Sequence, residues 1–341
     1  MKIEKTLEEA VKLDWNIKGK NSLSLSSYGL QTFVNLKFND WTNKDFSNAF
    51  KISEDEVEKL LIEKGYYNLI KDAESLDNEI KKIDIEIMEK AKYLKQEKWQ
   101  EDRPENMIIL DGVAFPAKYL ASKTKILWIL KESYEKNGVY FWHSGGIKTY
   151  EPDTIKLIHK KRRKRHGTLR MVSLVTFALL HKLSFERAKE VFKANEYDLI
   201  DAVQQVAWLN LGKVAAKSTS ANNLTYLFNT WKEILVKQIK LYNPDIIICG
   251  NTMQYFSNDK EYNFNLPREK KQIFKSIEPN ENRIYCYYPL EEQGKLYINI
   301  HHPSCPEDST TFNGTWNECI NELVEIVSDW DKKRKQILKK L

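Results

Sequence analysis

Short apolar runs separated by helix-like segments dominate the C-terminal two thirds of the chain. The apolar runs lie within residues 126–130, 206–211, 244–250 and 296–300. Segments with helical spacing of apolar residues lie between and after them, at residues 169–181, 184–194, 224–241 and 316–338. Uninterrupted apolar runs are typical of strands buried on both faces, and their alternation with helices favours a parallel sheet. We therefore predict an α/β fold: a three-layer α/β/α sandwich with a central, mainly parallel four- to five-stranded sheet, with residues 283–288 as an edge strand.

The N-terminal part of the chain has a different pattern, which predicts a helical region. Ser53 is followed three residues later by Glu56, the signature of a capping box at a helix N-terminus. A second, long helix is predicted from Ser75 to Trp99. Its apolar stripe, predicted to be a packing face, consists of Leu76, Ile80, Ile83, Ile87, Ala91 and Leu94. With a boundary near Pro104, we predict an N-terminal helical region at 1–105 and an α/β domain at 106–341.

Composition limits the class of protein further. Of the 341 residues, 42% are hydrophobic, which suffices for a sizeable core. No apolar run approaches the about 18 residues of a membrane-spanning helix, and the charged N-terminus does not resemble a signal peptide. The cysteines are widely spaced, at Cys249, Cys286, Cys305 and Cys319. We predict a reduced, cytoplasmic protein with no membrane association, and Cys249 as a core residue.

Positive charge is concentrated in one segment. Between Thr154 and Phe185 the chain has no acidic residue, although the net charge of the whole chain is only +6. The densest block consists of Lys160, Lys161, Arg162, Arg163, Lys164 and Arg165. Such a block attracts phosphate backbone regardless of base sequence, so we predict that it binds DNA. A solvated surface loop and a nuclear-localisation signal are the alternatives.

Polar side chains that could carry chemistry follow three of the apolar runs. Glu132 follows the first run, Asn210 ends the second, and His302 follows the fourth. The carboxyl ends of strands in an α/β sheet line the crevice in which ligands bind. There, a carboxylate can orient water, an amide can pair with a base edge, and a histidine can donate to developing negative charge. Together these residues predict a single site.

The order and content of these segments resemble the uracil-DNA glycosylase superfamily. Residues 130–134 (LKESY) are similar to its G-Q-D-P-Y motif, residues 208–211 (WLNL) to its L-L-N segment, and residues 302–304 to its H-P-S motif. Residues 244–250 are similar to its P-D-V-I-V-x-L-G strand. The resemblance covers about residues 106–325, and the motifs are specific mainly through their order.

The resemblance implies a role for each matching residue. Glu132 would stabilise the oxocarbenium-like sugar and orient the attacking water, and His302 would donate to the carbonyl of the departing base. Tyr134 would lie against the position 5 edge of a pyrimidine, Phe141 would stack on the flipped base, and Asn210 would read it. Residues assigned to the DNA contact are Ser304 and Pro306.

Some positions depart from the family pattern. Leu130, Lys131 and Ser133 replace its Gly, Gln and Pro, and Pro306 stands where the family has a wedging Leu. A shifted register against a G-E-x-P variant is an alternative that leaves the role of Glu132 open, and His301 is a second choice for the histidine. The cysteine spacing does not support the iron–sulfur cluster that some members hold.

We expect a monofunctional DNA glycosylase that flips a pyrimidine, expected to be modified, and hydrolyses its N-glycosidic bond to leave an abasic site. DNA is the expected partner, no cofactor or metal is predicted, and the oligomeric state is left open. By analogy, repair or defence against phages with modified cytosines would be its role. The main alternative is a catalytically inactive protein of this fold that binds DNA or a modified base. A nucleotide-processing enzyme is disfavoured because the chain has no Walker loop and no G-x-G-x-x-G motif.

Overall fold

The computed structural model divides the chain into two compact units. The first contains Met1–Glu79 and Phe115–Lys123, and the second contains Ile80–Ala114 and Thr124–Leu341. The structure describes residues 42–50, 53–63, 66–94, 108–131, 161–162, 165–166, 168–194, 202–214, 221–257, 259, 261, 263–275, 285–303 and 316–339. The domain boundary predicted near Pro104 lies outside these residues and stays a prediction.

Two short helices of the first unit, α1 (Asn43–Phe50) and α2 (Glu54–Glu63), each begin with a capping box. At α2 the Ser53 amide donates to Glu56 Oε2 at 2.8 Å, and the Glu56 amide donates to Ser53 Oγ at 3.2 Å. The hydrogen bond from the Ser53 amide lowers the pKa of Glu56, because it stabilises the carboxylate. The predicted capping box is therefore confirmed.

The longest helix, α3 (Tyr66–Leu94), begins earlier than predicted, and the division between the two units falls within it. The predicted extension to Trp99 lies outside the described residues. The predicted stripe is confirmed as a packing face, with Leu94 outside the described side chains. Its buried members are Leu76, Ile80, Ile83, Ile87 and Ala91. Within the second unit, Glu86 of this helix pairs with Lys237 at 2.7 Å.

A further short helix of the first unit, α4 (Pro116–Ala121), carries Pro at its start, where a missing amide hydrogen costs nothing. Phe115 and Ala117 form a small buried cluster with Ala73 of α3. This cluster explains why a brief segment after residue 114 belongs to the first unit.

The described residues of the second unit contain nine strands, of which seven form one mixed sheet while the remaining two pair with each other. The strands are β1 (Gly112–Val113), β2 (Ile126–Leu130), β3 (Lys161–Arg162), β4 (Arg165–His166), β5 (Ala207–Asn210), β6 (Ile246–Gly250), β7 (Gln272–Ile273), β8 (Cys286–Leu290) and β9 (Lys295–Ile300). The helices are α5 (Thr168–His181), α6 (Phe185–Ala194), α7 (Ala221–Tyr242), α8 (Met253–Ser257) and α9 (Trp316–Leu338), with 3₁₀ turns at Arg268–Lys270 and Glu291–Gln293.

The sheet has the strand order β1-β5-β2-β6-β9-β8-β7, and its four central strands are parallel. Antiparallel strands flank them: β1 on one side, and β8 with β7 on the other. The α/β class and the parallel centre are thus confirmed. The sheet is wider than the predicted four to five strands because β1 and β7, each two residues long, carry no detectable pattern in the sequence.

Helix α5 covers one face of the parallel centre. Trp128 in the middle of β2 is fully buried, and its indole Nε1 donates to Thr176 Oγ1 of α5 at 3.1 Å. Helices α6 and α9 contribute to the same core through Phe185 and Trp330, among others. Cys249 is fully buried, as predicted, and burial raises the pKa of its thiol to about 12. The three-layer arrangement itself stays a prediction.

No single helix in the described part of the chain is long and apolar enough to cross a membrane. One bent pair, Thr168–His181 with Phe185–Val191, passes a test of length and composition, with a bend of 107°. The cytoplasmic location stays a prediction.

Candidate functional site

The order of the parallel strands creates a switch point at the carboxyl edge of the sheet. From β2 the chain continues to β5 on one side, whereas from β6 it continues to β9 on the other side. The carboxyl ends of β2 and β6 therefore flank the point at which the winding direction reverses. Open α/β sheets bind their ligands at such a point. Two of the predicted site residues, Asn210 and His302, lie at the ends of β5 and β9. The third, Glu132, lies outside the described residues, and Lys131, which precedes it, lies at the end of β2.

Backbone hydrogen bonds hold these strand ends together. The Leu211 amide donates to the carbonyls of Leu130 and Lys131, at 3.0 and 2.8 Å. On the other side of the switch point, the Asn251 amide donates to the Ile300 carbonyl at 2.8 Å. Thr252, fully buried, donates from Oγ1 to the Ile129 carbonyl at 2.8 Å. The segment after each strand is thus tied to its neighbour, which gives the side chains on these segments a defined position.

Gly250 provides the space in which the first and last motifs approach each other. A Cβ atom at this position would lie 2.7 Å from Leu130 Cδ2, 3.3 Å from Pro303 Cδ and 3.5 Å from His302 Cα. A real Cβ does not tolerate the first of these distances, so a side chain here would force the Leu130 side chain at the end of β2 to move. Gly250 thus allows a close approach between these segments.

The two adjacent histidines have different surroundings. His301 is buried against Tyr285, whose hydroxyl lies 2.7 Å from Nδ1 and 2.6 Å from Nε2 of the imidazole. The rings of these two residues are 4.3 Å apart between centroids. His302 is half-buried and lies within electrostatic range of Lys131. His302, the first choice in the sequence, is therefore the histidine close to the end of β2.

Burial lowers the pKa of His302 to about 3, and the Lys131 ammonium contributes to the shift. Both causes disfavour the imidazolium, since burial removes hydration and the neighbouring charge is of the same sign. The imidazole is consequently neutral at physiological pH. A neutral ring still has one N–H, which can donate a hydrogen bond to a carbonyl oxygen that gains negative charge.

On the opposite side of the switch point, Asn210 belongs to a buried polar network. Its backbone amide donates to Asp111 Oδ2 at 2.6 Å, and its side-chain Nδ2 donates to the same oxygen at 3.2 Å. Lys213 Nζ lies 2.5 Å from Asp111 Oδ1, and Gln238 Nε2 lies 3.2 Å from it. Asp111, Lys213 and Gln238 are all at most 1% exposed.

The charges in this network compensate each other. Burial lowers the pKa of Lys213, whereas the Asp111 carboxylate opposes that shift. The Ile109 amide also donates to the Lys213 carbonyl at 2.8 Å, so the segment after β5 is held to the segment before β1 by both backbone and side-chain bonds. Asp111, which directly precedes the short strand β1, thus connects this strand to Asn210 through hydrogen bonds.

Sequence reasoning missed Asp111, Lys213 and Gln238. Asp111 precedes Gly112 at the end of an apolar stretch, which by itself indicates a turn. Lys213 follows it by 102 positions and Gln238 by 127. No local pattern pairs residues so far apart, so a single sequence offers no signal for this network.

Several predicted site residues lie outside the described part of the chain. They are Glu132, Tyr134, Phe141, Lys160, Arg163, Lys164, Ser304 and Pro306. Of the basic block, the backbone of β3 and β4 is described as an antiparallel hairpin in which Arg162 lies opposite Arg165 and Lys161 opposite His166. The roles of all these residues stay predictions.

Within the described ranges, no group of three or more His, Cys, Asp or Glu side chains could hold a metal ion. Compared with known proteins, the chain shows no significant match to a family model, to a curated protein or to a solved structure. Any functional conclusion must therefore come from the residues themselves.

Proposed function

We propose that the chain is a monofunctional DNA glycosylase related to the uracil-DNA glycosylase superfamily, acting on a modified pyrimidine flipped out of DNA. The observation that carries the proposal is the grouping of Lys131, Asn210 and His302 around the switch point of the sheet. These residues belong to the three motifs on which the resemblance rests, and the motifs are far apart in the sequence.

The neutral state of His302 supports this chemistry. When an N-glycosidic bond breaks, the base departs with negative charge on its carbonyl oxygen, and a donor placed there stabilises the transition state. A neutral imidazole donates without releasing its proton, and the low pKa of His302 keeps it neutral at physiological pH. The nearby Lys131 ammonium adds positive potential at the same place, which also favours departure of an anionic base.

Asn210, which lies across the switch point of the sheet from His302, would recognise the base. Its side-chain amide offers a donor and an acceptor, which together suit the hydrogen-bonding edge of a pyrimidine. Glu132, one residue beyond Lys131, would hold the attacking water and stabilise the cationic sugar. The bond from the sugar carbon to the base breaks, and its electron pair leaves with the base. The water oxygen then adds to the cationic sugar carbon and loses a proton to the Glu132 carboxylate, which passes it on to the departed base, so that a neutral base and an abasic site remain.

Binding to DNA would depend on the basic block. Six consecutive positive residues around the β3–β4 hairpin supply a sequence-independent attraction for phosphates. We expect affinity for any DNA to fall steeply with salt. Replacing Arg162 and Arg165 by Gln should weaken binding to all DNAs about equally and reduce the salt dependence.

The experiment that tests the proposal measures abasic-site formation. The full chain is incubated with single- and double-stranded DNAs that contain uracil, a thymine mismatch, hydroxymethylcytosine or glucosylated hydroxymethylcytosine, and alkali then cleaves the abasic products. We expect release of one class of base. His302→Ala should slow that release about 10²- to 10³-fold, the usual effect of losing one donor to a developing oxyanion.

Matched controls separate chemistry from general damage. His181→Ala removes an exposed histidine at the end of α5, and Glu190→Ala removes an exposed glutamate of α6; both variants should keep full activity. Full base release by both His302→Ala and Glu132→Ala would refute the proposed mechanism.

A catalytically inactive binder is the alternative, and the departures at Lys131 and Ser133 from the family motif favour it. In that case the chain binds one of the same DNAs selectively and produces no abasic site from any of them.

A further inference from the structure

The Asp111 carboxylate is surrounded by donors from three residues. Oδ2 accepts from the backbone amide and the side-chain Nδ2 of Asn210, while Oδ1 accepts from Lys213 Nζ and Gln238 Nε2. Asp111 and Lys213 are buried almost completely, and Asn210 is 6% exposed. In such surroundings protein groups must replace water as the partners of the carboxylate, so the network tolerates little rearrangement.

This arrangement restricts the side chain of Asn210 more than that of an ordinary asparagine. A carboxylate only accepts hydrogen bonds, so the atom of Asn210 that faces Asp111 must be Nδ2 and not Oδ1. Turning the amide over would place Oδ1 against a carboxylate oxygen, with two buried acceptors in contact. The backbone amide of Asn210 donates to the same Asp111 Oδ2 atom and fixes the main chain of Asn210 as well.

We propose that Asp111 is a positioning residue that locks the Asn210 amide in one orientation and thereby sets which type of pyrimidine edge the site accepts. This inference rests on the proposed function. Uracil and thymine present a carbonyl acceptor next to an N–H donor, whereas cytosine and its 5-substituted forms present an amino donor next to a ring-nitrogen acceptor. An amide that could turn over would pair with either edge, but a locked amide pairs with only one.

Lys213 compensates the charge of Asp111, which allows this carboxylate to be buried. Its ammonium neutralises the carboxylate at 2.5 Å, so the pair carries no net charge. Asp111→Asn alone would remove the main counter-ion of the buried Lys213, with only the weaker influence of Asp84 left, and such a variant could fail to fold. The combined change Asp111→Asn with Lys213→Met removes both charges, keeps the volumes similar, and allows the Asn210 amide to turn because residue 111 can then donate as well as accept.

The test uses the full chain and two measurements. The first is NMR of the Asn210 side-chain NH₂ group without DNA, assigned by its loss in Asn210→Asp. The wild type should show slow hydrogen exchange of this group, and the double variant should show faster exchange. The second is kcat/KM for release of uracil compared with 5-hydroxymethylcytosine in the same DNA context. The wild type should prefer one of the two bases. The double variant should reduce that preference at least about tenfold, because a buried polar group that can pair with only one base edge discriminates strongly against the other.

Gln238→Met is the matched control. It removes the hydrogen bonds from Gln238 to Asp111 and leaves both bonds from Asn210 in place. The exchange rate at Asn210 and the selectivity ratio should both stay at the wild-type values. A purely structural role of the network predicts instead that the control and the double variant lose activity on both bases in proportion.

Different results would overturn the role of Asp111 and the glycosylase activity. An unchanged selectivity ratio in the double variant, or an Asn210 amide that already exchanges fast in the wild type, overturns the inference. Lack of base release by the wild type would instead contradict the glycosylase. The preference between the same two DNAs, measured as the ratio of their Kd values, then replaces kcat/KM, and it should shrink toward one in the double variant if Asp111 acts as proposed.

Discussion

Lys213 and His302 are two basic side chains near the same edge of the sheet, and burial affects them in different ways. Lys213 has a carboxylate at 2.5 Å, which opposes the effect of burial on its pKa. His302 lies near the ammonium of Lys131, and its pKa falls to about 3. One side of the switch point thus holds a compensated ion pair, whereas the other holds a neutral ring. A buried base either keeps a partner of opposite charge or gives up its proton.

Breaking the ion pair should have the largest effect. Asp111→Ala removes the main counter-charge of the buried Lys213 ammonium and leaves only the weaker influence of Asp84, so the free energy of unfolding should fall by about 3–5 kcal/mol. Urea denaturation measures this loss. Asp329→Ala is the control because it breaks an exposed pair with Lys332, and it should cost at most about 1 kcal/mol. Equal losses in the two variants would mean that burial of the Asp111 pair does not matter.

Replacing Gly250 by alanine should disturb the surroundings of His302 and leave those of Asn210 unchanged. In Gly250→Ala the new Cβ would clash with Leu130 Cδ2, and we expect a loss of about 1–3 kcal/mol from overpacking. NMR signals of His302 should shift more than those of Asn210. Gly294→Ala is a useful comparison, since its φ of 65° is strained for alanine while the nearest neighbour of its Cβ, Arg334 Cδ, is 3.8 Å away. Similar changes in the NMR signals of His302 and Asn210 in Gly250→Ala would show that the two residues do not respond independently.

The pH dependence of stability should reveal the neutral state of His302. Its folded pKa of about 3 lies below the unfolded value of about 6.5. Between these values the unfolded chain binds more protons. The contribution to stability is therefore complete above pH 6.5 and is lost as the pH falls toward 3, with a slope of up to about 1.4 kcal/mol per pH unit.

Urea denaturation at a series of pH values compares the wild type with His302→Gln, which should have a shallower slope in this window. His181→Gln, which removes an exposed histidine, should keep the wild-type slope. A slope that does not depend on residue 302 would show that this imidazole is protonated in the folded chain near its ordinary pKa.

Removing the charge at Lys131 should have the smallest effect. Burial is the larger cause of the shift at His302 and the Lys131 ammonium the smaller one, so Lys131→Gln should raise the pKa of His302 only slightly. Titration of the imidazole by NMR measures this change, with Lys332→Gln as a control at an exposed lysine. A return of the pKa to its ordinary value in Lys131→Gln would make the charge, and not burial, the dominant cause.

Much of the fold could be predicted because the signals are local. The apolar runs correspond to β2, β5, β6 and β9, and the segments with helical spacing correspond to α5, α6, α7 and α9. In each case the residues that decide the element lie within a few turns or strand positions of each other. The two-residue strands β1 and β7 were missed because such short segments have no period.

The candidate site could be predicted only in part. His302 and Asn210 could be chosen as candidates because polar residues at strand ends line the ligand crevice of an α/β sheet, and their roles stay predictions. The contact of His301 with Tyr285 could not be predicted. The low pKa of His302 was not predictable, since it depends on how closely the ends of β2 and β9 approach across Gly250.

The sequence by itself determined which segments become strands and helices, and which polar residues end those strands, because these properties depend on near neighbours. Only the tertiary structure decided that Asp111 binds Asn210 and Lys213 and that His302 is neutral. The physical reason is that burial, charge compensation and hydrogen-bond geometry arise between residues about a hundred positions or more apart in the chain, such as the 102 between Asp111 and Lys213. They exist only once the sheet has brought the strand ends together.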